Sequence, residues 1–200
     1  MTKPNILFIM ADQFNADCLG FLGHPIVKTP NLDRLAARGT FFNKMYVSCP
    51  ICGPSRASFF TGTYMNTHEQ YSNETDLRRE FPSILSEFKK AGYTNIQVGK
   101  THLAPIIAKD FHRMWTINKS YKNYLKRKGI QERELPESLH KNFTSATSLL
   151  SEEDQNEVWT ADRVVDFIQS DDSKTAPFFM WCSFERPHPL LFVPKSLEGM

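Results

Sequence analysis

Side chains capable of chemistry fall in a few short stretches: Asp12-Gln13, Cys49 to Gly62 (CPICGPSRASFFTG), Lys100-Thr101-His102 and Glu185-Arg186-Pro187-His188. The second contains Cys-x-x-Cys, Cys49 and Cys52. A redox pair of this kind needs its first cysteine at a helix amino terminus, where the thiolate is stabilised. Here the second cysteine, Cys52, stands just ahead of the helix-like segment. Zinc needs two further ligands in a compact arrangement, and Cys18 and Cys182 are single and far apart. Pro54 suits a first helical turn. On that turn Cys52 gains free backbone N–H groups and the positive end of a helix dipole, a cradle for a tetrahedral oxyanion. Arg56 falls on the same turn, and its guanidinium is a good partner for such an anion.

These residues need elements to hold them. Asn5 to Met10 is a continuous apolar run, which predicts a strand buried on both faces of a parallel sheet. Thr29 as cap and Pro30 at the first helical position open a helix with Leu32, Leu35 and Ala36 on one face, ended by Gly39. Thr40 to Val47 reads as a second strand, and Ser58 onward as a short helix. Pro82 to Ala91 is amphipathic, with Ile84, Leu85 and Phe88 on one side and Gly92 as its stop. Asn95 to Val98 reads as a strand. Lys109 to Leu150 is polar and reads as loops and short helices over the surface. Ser151 to Asp154 reads as capping charge for a helix over Val158 to Ile168, and Pro177 to Phe184 as another buried strand. This order predicts an α/β fold, a mostly parallel sheet with helices on both faces. Chemistry in such sheets sits at the carboxyl ends of the strands, where Asp12, Lys100 and His188 fall.

The chain has 200 residues, 40% hydrophobic and 23% charged, which suits one soluble globular domain. A net charge of +2 gives no electrostatic case for nucleic acid or a membrane surface, and neither is expected as a partner. Its 4 cysteines do not make a disulfide framework. The apolar run Ile6 to Met10 is too short for a bilayer span and lacks a signal-peptide layout, so a cytoplasmic protein is expected.

Cys52-Gly53-Pro54-Ser55-Arg56 followed by Thr61-Gly62 resembles the Cys-x-Pro-Ser-Arg signature of type I sulfatases, of the alkaline-phosphatase-like superfamily. PNILFIMADQ, KTPNLDRLAARGTFF, VGKTHL and FERPHPLL resemble further family segments, in the family's order from residue 4 to about residue 195. The DQ and HPIVKTPNLD wording resembles the choline-sulfatase and phosphonate-hydrolase side of the superfamily. The resemblance implies that residues 1–200 are a sulfatase N-terminal catalytic domain, partial because a later metal-ligand segment and a second lysine have no counterpart here. An uncovered sheet edge in such a partial domain would favour self-association into a homo-oligomer.

The same resemblance implies that a maturation enzyme oxidises Cys52 to formylglycine, whose hydrate attacks the sulfur of a small-molecule sulfate ester and displaces its alcohol. The second hydroxyl then loses its proton and the aldehyde re-forms, ejecting sulfate, which a plain serine could not do. A divalent cation at Asp12, Gln13 and residue 52 would polarise nucleophile and sulfate; oxygen ligands suit calcium first, then magnesium or manganese. Arg56 would steady the hydrated aldehyde, Lys100 bind sulfate charge, His102 hydrogen-bond the diol, and His188 bind sulfate or protonate the leaving oxygen. Taken singly, the same residues have plainer readings: Asp12 as a turn cap, Lys100 as a surface lysine, His102 and His188 as rim histidines. Cys49 and Cys182 read as small buried apolar residues. Two other readings stay open beside the sulfatase. One is a phosphonate monoester or phosphodiester hydrolase with the same nucleophile, disfavoured by the Lys100 and His102 pair. The other is a non-catalytic remnant acting as a binding module.

Overall fold

The structure is a computed structural model, and it describes residues 3–78, 80–130 and 145–198. In chain order its elements are β1 (Ile6–Ala11), α1 (Pro30–Ala36), α2 (Cys52–Thr61), α3 (Met65–His68), α4 (Ile84–Lys90), β2 (Thr94–Gly99) and α5 (Pro105–Ala108). They continue with β3 (Arg113–Thr116), α6 (Lys122–Arg127), β4 (Ser145–Ser148), α7 (Asn156–Gln169), β5 (Phe178–Phe184) and β6 (Leu191–Pro194). The main sheet has the order β1-β5-β2-β3 and is parallel throughout; β4 and β6 form a small parallel pair.

The central strands explain the layers. Along β5, Phe179 and Trp181 face one side, against Ala57 and Phe60 of α2 and Leu85 of α4. Phe178, Met180 and Cys182 face the other, against Val164 and Phe167 of α7. Alternate residues of an apolar strand thus feed two cores, and helices cover both faces. Register brings the strand exits together: Ala11 lies opposite Phe184, and Gly99 lies opposite Ser183. Asp12, Lys100 and Glu185 therefore leave the sheet at one rim, where the sequence reading expected chemistry. Among the described residues no helix is long and apolar enough to cross a membrane.

Several expectations need correction. β1 is not buried on both faces: Ile6, Phe8 and Met10 pack on the core, whereas Leu7 is 41% and Ile9 55% exposed. The reason is position, since β1 is a sheet edge and α7 packs over β2 and β5. Thr40 to Val47 is not a strand; it forms exposed turns, with Phe42, Met45, Tyr46 and Val47 in solvent. Among the described residues no strand pairs with this segment, and propensity without a partner does not make a sheet. Thr29 is the N-cap residue of α1 but makes no side-chain cap bond; its hydroxyl donates to Asp33 (2.6 Å) and accepts from the Gly20 N–H (2.8 Å). Leu32 and Leu35 are exposed, so the apolar face of α1 meets water.

The stretch Lys109 to Leu150 contains β3, a strand of the main sheet, and not only surface loops and helices; residues 131–144 of it lie outside the described residues. Ser151 to Asp154 forms a short helical turn of its own, over Glu152–Asp154, that leads into α7, whose N-cap residue Gln155 makes no side-chain cap bond. Asp154 is buried, and accepts from Tyr124 (2.6 Å), Lys128 (2.6 Å) and Ser151 (2.9 Å), tying α6 to this turn.

Gly99 closes β2 at φ +94°, and a β-carbon there would stand 2.1 Å from the Ser183 carbonyl oxygen. Both the backbone conformation and the space demand glycine. Gly99→Ala is expected to destabilise the protein by about 3 kcal/mol or more, read as a lowered urea midpoint; an unchanged midpoint would contradict this packing.

Candidate active site

Cys52 is the first residue of α2. The helix starts there because Ile51 is extended, Pro54 fits the first turn, and the Ser55 N–H reaches the Ile51 carbonyl (2.9 Å). Gly62, at φ +67°, ends it. Two contacts hold the helix from behind. The Gly53 N–H donates to Asn73 Oδ1 (2.8 Å), and Ser58 Oγ meets Nε2 of the fully buried His68 (2.9 Å). His68 Nδ1 accepts from the Gln70 N–H (3.1 Å), so Nε2 carries the proton and donates to Ser58. Gln70 Nε2 lies 2.8 Å from where a β-carbon on Gly53 would be, so glycine lets this loop close on the turn beside Cys52.

These contacts correct the amide cradle expected from sequence. Gly53 and Ser55 have committed their N–H groups, and Pro54 has none. Negative charge at residue 52 must be met chiefly by side chains.

Those side chains converge on Asp12. Its N–H is fixed to the Phe184 carbonyl (3.1 Å), directly after β1. Oδ2 accepts from Lys100 Nζ (2.6 Å) and Arg56 Nη2 (3.2 Å), while Oδ1 faces Cys52 Sγ (3.5 Å). Arg56 is buried under α2, with its guanidinium 5.1 Å from the centre of the Trp181 ring. Its Nη1 donates to the carbonyls of Lys100 (3.1 Å) and Thr101 (2.7 Å).

The charges reinforce one another. Burial pushes the Asp12 carboxyl up, but the Lys100 hydrogen bond and the charges of Lys100, Arg56 and His188 outweigh it, leaving the group below the usual carboxylate range. Burial and the Asp12 charge raise the Cys52 thiol, against opposition from Lys100 and Arg56. Burial lowers Arg56, opposed chiefly by Asp12. Burial, then Lys100 and Arg56, lower His102, favouring neutral imidazole.

Asp12, Cys52, Arg56 and Lys100 are thus in direct contact. His102 and His188 lie within electrostatic range: His188 acts on both Asp12 and His102. His102 stands at the rim, partly open to solvent and only partly desolvated, with φ +41°; His188 is half-buried, and its Nδ1 meets the Pro189 carbonyl. Gln13 is exposed at φ +57° and stands outside the hydrogen-bonded cluster. Cys49 and Cys182 are buried, as read from sequence; burial pushes Cys182 up to about 12. Asn73, Gln97 and Trp181 support the site and were not singled out. Gln97 left a trace, a polar residue between the apolar Ile96 and Val98; Asn73 left none.

For a divalent cation, the donor chemistry fits and the donor number falls short. Asp12 Oδ1 is turned away from both basic groups and, with the Gln13 amide oxygen, suits a hard cation. Yet no group of three or more His, Cys, Asp or Glu among the described residues could hold an ion.

The sulfatase family model matches residues 4–200. The chain belongs to the sulfatase family. An arylsulfatase of Clostridium perfringens is 34% identical over 222 residues, covering 99% of this chain and 46% of its own. A choline-sulfatase of Rhizobium meliloti is 36% identical over 100 residues, covering 50% of this chain and 20% of its own. The crystal structure of a phosphonate monoester hydrolase of Agrobacterium radiobacter matches with a TM-score of 0.79 at 25% identity, covering 96% of this chain and 43% of that one. The sulfatase chain described here therefore has the alkaline-phosphatase-like fold and spans less than half the length of these relatives.

Proposed function

We propose that this protein hydrolyses small-molecule sulfate esters, with residue 52 as nucleophile after a maturation enzyme has converted Cys52 to formylglycine. The observation that carries this reading is the single contact group of Cys52, Asp12, Arg56 and Lys100 at the sheet rim. A thiol raised by burial and by Asp12 is a poor thiolate at neutral pH, which favours a precursor over a cysteine nucleophile. In this reading residues 1–200 form the N-terminal part of the catalytic domain.

Each residue has a role set by its surroundings. Lys100 uses one ammonium N–H on Asp12 and keeps donors for a sulfate oxygen. Arg56 holds Asp12 and the Lys100 turn while its charge faces residue 52. Neutral His102 hydrogen-bonds the nucleophile, and His188 binds sulfate or protonates the departing alkoxide. A calcium or magnesium ion at Asp12 Oδ1 and Gln13 belongs to the proposal; when bound it would polarise a sulfate oxygen. None of the roles above depends on it.

A second reading, phosphonate monoester hydrolysis, is favoured by the TM-score of 0.79 to such an enzyme. Turnover of an aryl sulfate and an aryl phosphonate by protein converted at residue 52 separates the two. Faster sulfate turnover is expected. Faster phosphonate turnover would establish the second reading, and neither activity would leave a binding module. Lys100→Ala is expected to raise KM for the aryl sulfate about tenfold or more, the worth of one charged hydrogen bond. Unchanged kinetics would remove Lys100 from the site.

A further inference from the structure

We propose that Gln97 is a positioning residue for Lys100 and His102, acting through the backbone of the turn that carries both. Gln97 lies on β2 with no exposed surface. Its neighbours Ile96 and Val98 enter the α7 core, and Gln97 points to the opposite face, in register with Trp181. A buried amide in a central strand is unfavourable unless it finds partners. Its Nε2 finds them in the turn, donating to the carbonyls of Gly99 (2.9 Å) and Lys100 (3.3 Å). Among the described residues its Oε1 has no hydrogen-bond partner, so the hydrogen bonds of this side chain go to the turn.

Arg56 completes the hold, donating to the carbonyls of Lys100 and Thr101 (3.1 and 2.7 Å), and the Lys100 N–H is fixed to Ser183 (2.8 Å). Successive carbonyls 99 to 101 are thus gripped by two side chains. The turn needs such a grip, because Gly99 (φ +94°) and His102 (φ +41°) are both at positive φ, a conformation uncommon and strained for any residue but glycine. Such strain persists only where the surroundings over-determine it. Without Nε2 the Gly99 carbonyl has no side-chain donor, Lys100 keeps one, and the turn can relax. Relaxation moves the ammonium on Asp12 and the His102 ring together.

The kinetic arm of the test rests on the sulfate-ester reading; the exchange arm does not. Gln97→Met keeps the volume and removes the donor. In protein converted at residue 52 to the wild-type extent, KM for an aryl sulfate and Ki for inorganic sulfate are expected to rise together about tenfold, as for one or two lost hydrogen bonds. Hydrogen exchange should quicken in a peptide spanning residues 99–103 and stay unchanged in β5. A lower active fraction with unmoved KM and Ki would make Gln97 a core filler and overturn the proposal, as would faster exchange across the whole sheet. If wild type turns over no sulfate ester, that reading falls, and the exchange comparison alone decides for or against Gln97. Should Gln97→Met not fold, Gln97→Glu serves. Its protonated form donates to the turn and its ionised form repels the carbonyls, so KM and Ki should climb with pH beyond wild type; a wild-type pH response would overturn the proposal.

Discussion

Cys52→Ala is expected to abolish sulfate-ester turnover, a loss on the order of 10⁵-fold in kcat as for removal of a catalytic nucleophile, while the protein stays folded. Cys52 is half-buried, and its Sγ makes a long hydrogen bond, 3.5 Å to Asp12 Oδ1. Helix α2 is anchored elsewhere, by Gly53 on Asn73, Ser58 on His68 and Arg56 on the Lys100 turn. Losing the thiol should therefore change stability by less than about 1 kcal/mol. Steady-state assay and a thermal melt on the same sample check both halves. Full activity in the alanine variant would show that the nucleophile is elsewhere; loss of the fold would show that Cys52 is a packing residue.

Asp12→Asn is expected to lower stability by about 3–5 kcal/mol, the cost of leaving buried charge uncompensated. Asparagine keeps the shape and removes the charge, so Lys100 and Arg56, both buried, would face each other across a neutral amide. Activity should fall as well, because the same carboxylate orients the Lys100 ammonium. The acid side follows from linkage. The folded carboxyl lies below its ordinary value of 3.8. Its contribution is therefore complete above that value and is lost as pH falls through the depressed folded one. Urea midpoints from pH 3 to pH 7 should decline at the acid end in wild type, and less in Asp12→Asn. Equal midpoints at pH 7 would mean that the ion pairs contribute nothing.

The legible parts of the fold are those whose surroundings repeat along the chain. PFFMWCSF reads as a doubly buried strand because alternate residues feed two cores, and β5 is such a strand. ILFIM carries the same signal, yet β1 is an edge with Leu7 and Ile9 in the open. A run of apolar residues reports β-propensity and says nothing of what lies on its far side. The short β3 was missed for the converse reason. Its RMWT has only Met114 and Trp115 between two polar ends, too short an apolar run to mark a strand, and its place comes from pairing with β2 from Ile96–Arg113 to Gly99–Thr116.

The site divides in the same way. Asp12 and Lys100 were legible because each directly follows a segment that reads as a strand, and Cys52 with Arg56 because Pro54 marks a helix start. Asn73, Gln97 and Trp181 act through partners made only by the folded chain, and so does the loss of the expected amide cradle to Asn73.

Mass spectrometry of the tryptic peptide running from Met45 to Arg56, from protein made in its own host, tests the central claim most directly. The account predicts an aldehyde in place of the thiol at position 52, with Cys49 in the same peptide unchanged. An intact thiol at position 52 in protein that hydrolyses the aryl sulfate would contradict it.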